Sequence, residues 1–154
     1  MRRVYIETSV WGMVAPGQNP VLQEPTVEFL EKCECGVFEA YISDVVANEV
    51  RQAPAATQQA IEEWIARVNP VELKLSDEGD QLAQRFIEQE VVPKRRLDDA
   101  RHVACALVNE MDVLISWNHR HLANTRKSDA FNAVAVLAGL ETRLEIHTPL
   151  EVLE

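Results

Sequence analysis

Acidic side chains at three separated places in the chain are the residues best suited to chemistry. Asp98 and Asp99 open a segment with helical periodicity, where the positive end of the helix dipole favours carboxylates. Glu7 follows a short apolar run, and Glu49 lies in a segment that begins after Ser43. Carboxylates that converge from separate parts of a chain most often bind Mg²⁺ or Mn²⁺, which take oxygen ligands. Such ions activate water for attack on a phosphodiester.

The stretch 97–118 combines a predicted helix with a predicted strand. Apolar residues recur at helical spacing from Leu97 to Met111, and the run from Asp112 to Ser116 is typical of a buried parallel strand. Asn118 follows this strand, at the edge of the sheet where α/β proteins bind ligands. Simpler interpretations exist, because an aspartate at a helix start is often only a cap and a polar residue after a strand often only belongs to a loop.

Strands and helices alternate through the rest of the chain. The patterns predict strands at 4–6, 40–42, 71–75, 112–116 and 144–149, and helices at 26–32, 44–53, 55–68, 76–90, 97–111 and 129–140. Glycines and prolines between 12 and 20 predict a loop. This alternation predicts an α/β fold with a mostly parallel sheet of about five strands, covered on both faces. In that fold Glu7, Asn118 and the start of the helix that carries Glu49 lie at one edge.

Length and composition favour one soluble domain over residues 1–154. The sequence is 47% hydrophobic and 26% charged, which is ordinary for a globular protein. No apolar run approaches the ~18 residues that span a bilayer, and the amino terminus lacks the pattern of a signal peptide. Three cysteines do not make a disulfide framework. We therefore expect a cytoplasmic protein with no membrane partner.

The formal net charge of −10 argues against indiscriminate binding to nucleic acid. It does not exclude a nucleic-acid enzyme, because bound divalent cations make an acidic site positive. Two clusters of basic residues stand out, one at 94–101 and one at 120–127. Each cluster is consistent with a solvated face or with contact to phosphate.

The motifs together resemble the PIN-domain nucleases, which include the toxin subunits of VapBC-type toxin–antitoxin pairs. The resemblance rests on Glu7-Thr8-Ser9 after the first strand, the Ser43-to-Glu49 spacing, the Asp99-Ala-x-His-x-Ala-x-Ala helix and Leu-Ile-Ser-Trp-Asn, and it extends from Val4 to Pro149. It implies a PIN-like α/β/α sandwich and a Mg²⁺- or Mn²⁺-dependent ribonuclease.

The resemblance also implies roles for individual residues. Glu7, Glu49 and Asp99 match the three acidic positions that hold the metal, and Asn118 stands where many members have a fourth acidic residue. Thr8 or Ser9 stands where a hydroxyl supports the first carboxylate or the metal's water. Glu7 is one methylene longer than the usual aspartate, and Asn118 adds no charge. Three negative charges suit one divalent ion better than two.

Several other side chains have alternative interpretations. Asp98 could replace Asp99 as the ligand, and His102 fits a structural histidine better than a ligand. Arg96 and His121 are candidates for contact with phosphate, and Trp117 either stacks on a base or packs at the strand end. Zinc is disfavoured, because the Cys33-Glu-Cys35 and His102-x-x-Cys105 pairs lack the complementary half of a zinc-binding pattern.

Two hypotheses for function follow. The first is an endoribonuclease of toxin type that acts on RNA, with an antitoxin protein as partner and a homodimer as the expected assembly. The second is a PIN-like binding protein with little catalysis in a regulatory complex. A phosphatase with an aspartyl nucleophile is disfavoured, because no aspartate follows the first strand.

Overall fold

A five-stranded parallel sheet forms the centre of the molecule in the computed structural model, which describes all of residues 1–154. The strand order is β3-β2-β1-β4-β5, and every neighbouring pair is parallel. The elements in chain order are β1 (Arg3–Ile6), α1 (Thr8–Gly12), α2 (Pro20–Glu34), β2 (Glu39–Ser43), α3 (Asp44–Arg51), α4 (Ala55–Val68), β3 (Val71–Leu73), α5 (Asp77–Glu88), α6 (Leu97–Val108), β4 (Val113–Ile115), α7 (Thr125–Leu137), β5 (Glu145–His147) and α8 (Pro149–Leu153). A 3₁₀ turn at Lys94–Arg96 precedes α6.

Helices cover both faces of this sheet, so the predicted α/β/α sandwich is confirmed. Strand β1 lies in the middle, and its residues Val4, Tyr5 and Ile6 are fully buried. Helix α6 packs closely against α5, while α2 contacts α4 and α8. Because all the strands run in the same direction, the residues that follow β1, β2 and β4 meet at one edge.

The amino-terminal loop is shorter than the sequence predicts. Gly12 ends the short helix α1, and α2 begins at Pro20 and not at Thr26. Asn19 explains the early start, because its side chain accepts a hydrogen bond from the backbone N–H of Val21. Proline is well tolerated in a first helical turn, where its missing N–H costs nothing.

The carboxyl-terminal elements also differ from the prediction. Helix α7 begins at Thr125 and not at 129, because Asn124 caps it by accepting from the N–H of Lys127 at 2.8 Å. The predicted last strand is wrong at Thr148 and Pro149. Thr148 and Glu151 form a reciprocal capping box that opens α8. None of the helices combines the length and the apolar content that crossing a membrane requires.

Candidate active site

The side chain of Glu7 lies at the carboxyl end of β1 and is only 4% exposed. It caps α1 by accepting from the backbone N–H of Ser9 at 3.0 Å. The hydroxyls of Ser9 and Ser116 also donate to it, the latter at 2.6 Å. Three donors from two strand ends therefore fix this carboxylate.

Glu49 projects from α3 toward the same edge and is held by two donors. Thr8 Oγ1 donates to Glu49 Oε1 at 2.7 Å, and His102 Nε2 lies 2.5 Å from the same oxygen. Burial opposes ionisation of Glu49, but its hydrogen bond and attraction to His102, with the Thr8 bond, outweigh burial and lower its pKa. Glu49 is therefore an ionised carboxylate at neutral pH.

A buried chain of hydrogen bonds stands behind Glu49. His102 is fully buried, and its Nδ1 lies 2.7 Å from the hydroxyl of Tyr5. That hydroxyl also lies 2.6 Å from Ser43 Oγ, at the end of β2. Burial opposes protonation of His102, yet the bond to Glu49 and the charges of Glu7, Glu49 and Asp99 raise its pKa. Sequence reasoning placed His102 as a structural histidine but missed Tyr5.

Asp99 lies in the first turn of α6, on its buried face. Together with Glu7 and Glu49 it makes up the acidic group at this edge of the sheet. It is 9% exposed, and Asn118 Nδ2 donates to its Oδ2 at 3.3 Å. Burial and then the charge of Glu7 raise the pKa of Asp99 to about 6, although His102 and Arg96 oppose the shift. Burial and the nearby carboxylate of Glu7 therefore both disfavour the ionised form of Asp99.

Asp98 and Asp99 occupy different environments, although they are adjacent. The side chain of Asp98 is 54% exposed and pairs with Arg101 at 3.5 Å. Asp99 is buried beside Asn118. The structure therefore places Asp99 and not Asp98 within the acidic group.

The remaining predicted site residues surround this group. Trp117 Nε1 donates to Thr26 Oγ1 at 2.8 Å, and its ring packs against the core, which favours the packing interpretation. Arg96 is exposed, and its charge acts on Asp99. The backbone N–H of His121 donates to Asn118 Oδ1 at 3.0 Å.

The donor set suits a hard divalent cation in its chemistry and charge. Its members are carboxylate oxygens, and the pKa of Asp99 is raised by burial and then by the charge of Glu7, two effects that a bound cation would offset. No group of three histidine, cysteine, aspartate or glutamate side chains is arranged to hold a metal, however, and Glu49 is paired with His102. The three-ligand metal site therefore stays a prediction.

The three cysteines form no disulfide, and two of them are buried. All three are free, and burial raises the pKa of the Cys33 thiol to about 12. Burial likewise raises the pKa of Cys105 to about 11.

Comparison with solved structures identifies the architecture. The crystal structure of VapBC2 from Rickettsia felis, bound to a DNA fragment from their promoter, matches with a TM-score of 0.62. The match covers 95% of this chain and 98% of that chain. The chain has a PIN-like fold. Sequence identity over the match is 12%, so the likeness concerns the fold. No protein-family model and no curated protein matches the sequence.

Proposed function

We propose that this protein is a metal-dependent endoribonuclease of the VapC toxin type. The observation that supports the proposal best is the position of Glu7, Glu49 and Asp99 at the carboxyl edge of a PIN-like sheet, where the charges of the first two act on the third. The charges of Glu7 and Glu49 both help to raise the pKa of Asp99, so the three carboxylates act on one another. An excess of negative charge at this edge of the sheet favours the binding of a divalent cation. Phosphodiester hydrolysis is a reaction that such bound cations catalyse.

Glu7, Glu49 and Asp99 would hold Mg²⁺ or Mn²⁺, which would stabilise charge on the phosphate and lower the pKa of the attacking water. The chain itself orients these groups. Ser9 and Ser116 hold Glu7, and Thr8 holds Glu49.

Asn118 has a positioning role in this proposal. Its carbonyl oxygen is occupied by the N–H of His121, and its NH₂ group donates to Asp99. An amide NH₂ carries two protons, so one stays available to a phosphate oxygen. Arg96, which is exposed and whose charge acts on Asp99, then contacts the RNA around the cleaved bond.

A second candidate is a PIN-like binding protein with little catalysis. The observation that favours it is the pairing of Glu49 with the buried His102, which occupies a carboxylate that the nuclease needs for its metal. The two candidates differ in whether purified protein cleaves RNA.

The deciding experiment incubates purified protein with RNA in Mn²⁺ and in EDTA. We expect cleavage in Mn²⁺ that stops in EDTA, and loss of cleavage in Asp99→Asn. Asp98→Asn is the matched control, because it removes the same charge from an exposed neighbour that pairs with Arg101. Absence of wild-type cleavage, or equal cleavage by both variants, would contradict the nuclease proposal.

An antitoxin protein is the proposed partner. The structural match is a VapBC2 complex bound to promoter DNA, and a toxin with this fold is expected to be held by its own antitoxin. Co-expression with the product of the neighbouring reading frame should give a complex that survives purification and cleaves less RNA than the free chain.

A further inference from the structure

Six of the 15 lysines and arginines come from two short segments beside the candidate active site. We call them the basic surface; its members are Lys94, Arg95, Arg96, Arg120, Arg126 and Lys127. The first three form the 3₁₀ turn before α6, and the others lie in the loop before α7 and in its first turn. In a chain with a net charge of −10, this is a pronounced local excess of positive charge.

The two segments are joined in space. Lys127 Nζ donates to the backbone carbonyl of Val91, just before the 3₁₀ turn. A cavity of about 480 Å³ lies beside this bond, and Arg120, Arg126 and Lys127 line it with only one carboxylate, that of Glu90. The basic residues therefore form one surface and not two unrelated clusters.

None of these six side chains makes an ion pair with a carboxylate. The same chain contains 25 aspartates and glutamates, so carboxylate partners are plentiful. Arg126 and Lys127 also lie in the first turn of α7, which has no acidic residue and where the helix dipole disfavours positive charge. The helix dipole therefore disfavours these two charges in the free protein, and a bound anion would offset that effect.

His121 connects the basic surface to the candidate active site. It is 7% exposed, and its Nε2 is buried without a hydrogen-bond partner. Burial and then the charges of Arg96, Arg120 and Lys127 lower its pKa, which places the ring among the basic residues. Its backbone N–H reaches Asn118, so the surface continues directly from the carboxylates.

We propose that the basic surface binds the phosphates of a single-stranded RNA that extends away from the cleaved bond. The proposal rests on the nuclease function and specifies how its substrate is held. Single-stranded RNA fits better than an acidic protein segment, because the surface adjoins the edge where a phosphodiester would be cut. The acidic remainder of the protein repels RNA, so this surface is where the strand is held.

Contacts with phosphate carry no sequence information, so this surface supplies affinity that is independent of sequence and depends on salt. For single strands, each neutralised phosphate adds about 0.7 to the slope of log affinity against log salt. Loss of two contacts should therefore lower the slope by about 1.4 and weaken binding roughly 25-fold at 0.1 M salt.

The test measures binding of a fluorescein-labelled oligouridine by anisotropy in EDTA, over a range of KCl concentrations. The variant is Arg120→Gln/Arg126→Gln, because both side chains are exposed and make no ion pair. The matched control is Lys74→Gln/Arg85→Gln, which removes the same charge from two exposed side chains elsewhere on the surface that also make no ion pair. We expect the variant alone to lose affinity and salt slope, with circular dichroism and thermal melting confirming that both variants fold.

Equal affinity of variant and control would overturn the proposal, as would a duplex DNA that binds more tightly than the oligouridine. Polyglutamate of matched charge that displaces the oligouridine equally well would also overturn it, in favour of an acidic protein partner. Binding in EDTA does not depend on catalysis. If RNA binds through the basic surface but is not cut in Mn²⁺, the nuclease proposal fails and the surface stands. If the variant binds RNA as tightly as the control while the wild type still cleaves RNA in Mn²⁺, the basic-surface proposal fails and the nuclease proposal stands.

Discussion

Replacement of Asp99 by asparagine should stabilise the metal-free protein at neutral pH. The carboxyl is buried, and burial with the charge of Glu7 raises its pKa from 3.8 to about 6. Since each pKa unit corresponds to 1.36 kcal/mol, ionising Asp99 costs the folded state about 3 kcal/mol. Asparagine has nearly the same shape, and its carbonyl oxygen can still accept the hydrogen bond from Asn118.

The sign of the effect follows from proton binding. Between pH 3.8 and about 6 the folded state binds more protons at Asp99 than the unfolded state does. Its contribution to stability therefore falls as the pH rises through this window and stays low above it. The variant lacks this loss, so its advantage over the wild type should be absent near pH 4 and complete above pH 7. An advantage of about 3 kcal/mol corresponds to a rise in Tm of roughly 6–12 °C for a domain of this size.

Urea unfolding in EDTA from pH 4 to pH 8 measures this difference directly. Asp98→Asn is the control, because it removes a carboxylate that is exposed and paired with Arg101. Its unfolding free energy should follow that of the wild type across the range. Parallel pH dependences for wild type and Asp99→Asn would refute the electrostatic argument. A large loss of stability in Asp99→Asn at pH 7 would show instead that Asp99 is a structural residue.

Three further predictions concern the neighbouring groups and the assembly. Tyr5→Phe removes the hydroxyl that His102 and Ser43 share in the core, so the free energy of unfolding in urea should fall by about 1–3 kcal/mol. A loss below ~0.5 kcal/mol would contradict the claim that this buried chain of hydrogen bonds stabilises the fold. Asn118→Asp adds a negative charge beside Asp99, so this variant should bind Mn²⁺ more tightly than the wild type by about 1–2 kcal/mol in a calorimetric titration. Equal affinities of the two proteins would show that residue 118 lies beyond the metal's reach. The chain should also form a homodimer, and sedimentation as a monomer across the micromolar range would exclude this.

The sequence predicted the sheet because its signals are local. Short apolar runs such as Val4–Ile6 and Val113–Ile115 lie between polar positions, and the strand that each run predicts is present. The errors at the ends of elements have a different origin. Asn19 and Thr148 each cap a helix with proline in its first turn, and from the sequence alone these prolines predict a loop or the end of a strand.

The candidate site was predictable only in part. Glu7 and Asp99 could be predicted because they lie next to a strand end and a helix start, which the sequence marks, and Glu49 because it lies in the helix that follows Ser43. The tie between Tyr5 and His102 joins residues 97 positions apart, and no local pattern reveals such a bond. The same limit applies to Glu7 as the cap of α1, because glutamate is not among the favoured capping residues.

The sequence feature that favours a homodimer is an apolar helical face around Trp64 and Ile65, which is more apolar surface than one small sheet needs to cover it. Both side chains are partly buried against the core, and the guanidinium of Arg67 lies 3.8 Å from the centre of the Trp64 ring. A cation stacked on the ring shields part of its apolar face. The homodimer therefore stays a prediction that these two residues support less than the sequence indicates.

The buried chain behind Glu49 closes on itself. Ser43 caps α3 by accepting from the N–H of Val45, α3 carries Glu49, and Glu49 returns through His102 and Tyr5 to Ser43. A helix of only eight residues would ordinarily fray on its own. Here its opening breaks bonds to Ser43 and His102, which are fully buried, so α3 should open only together with the core. Amide protons of α3 should then exchange as slowly as those of β1, and Glu49 shares the rigidity of the central strand.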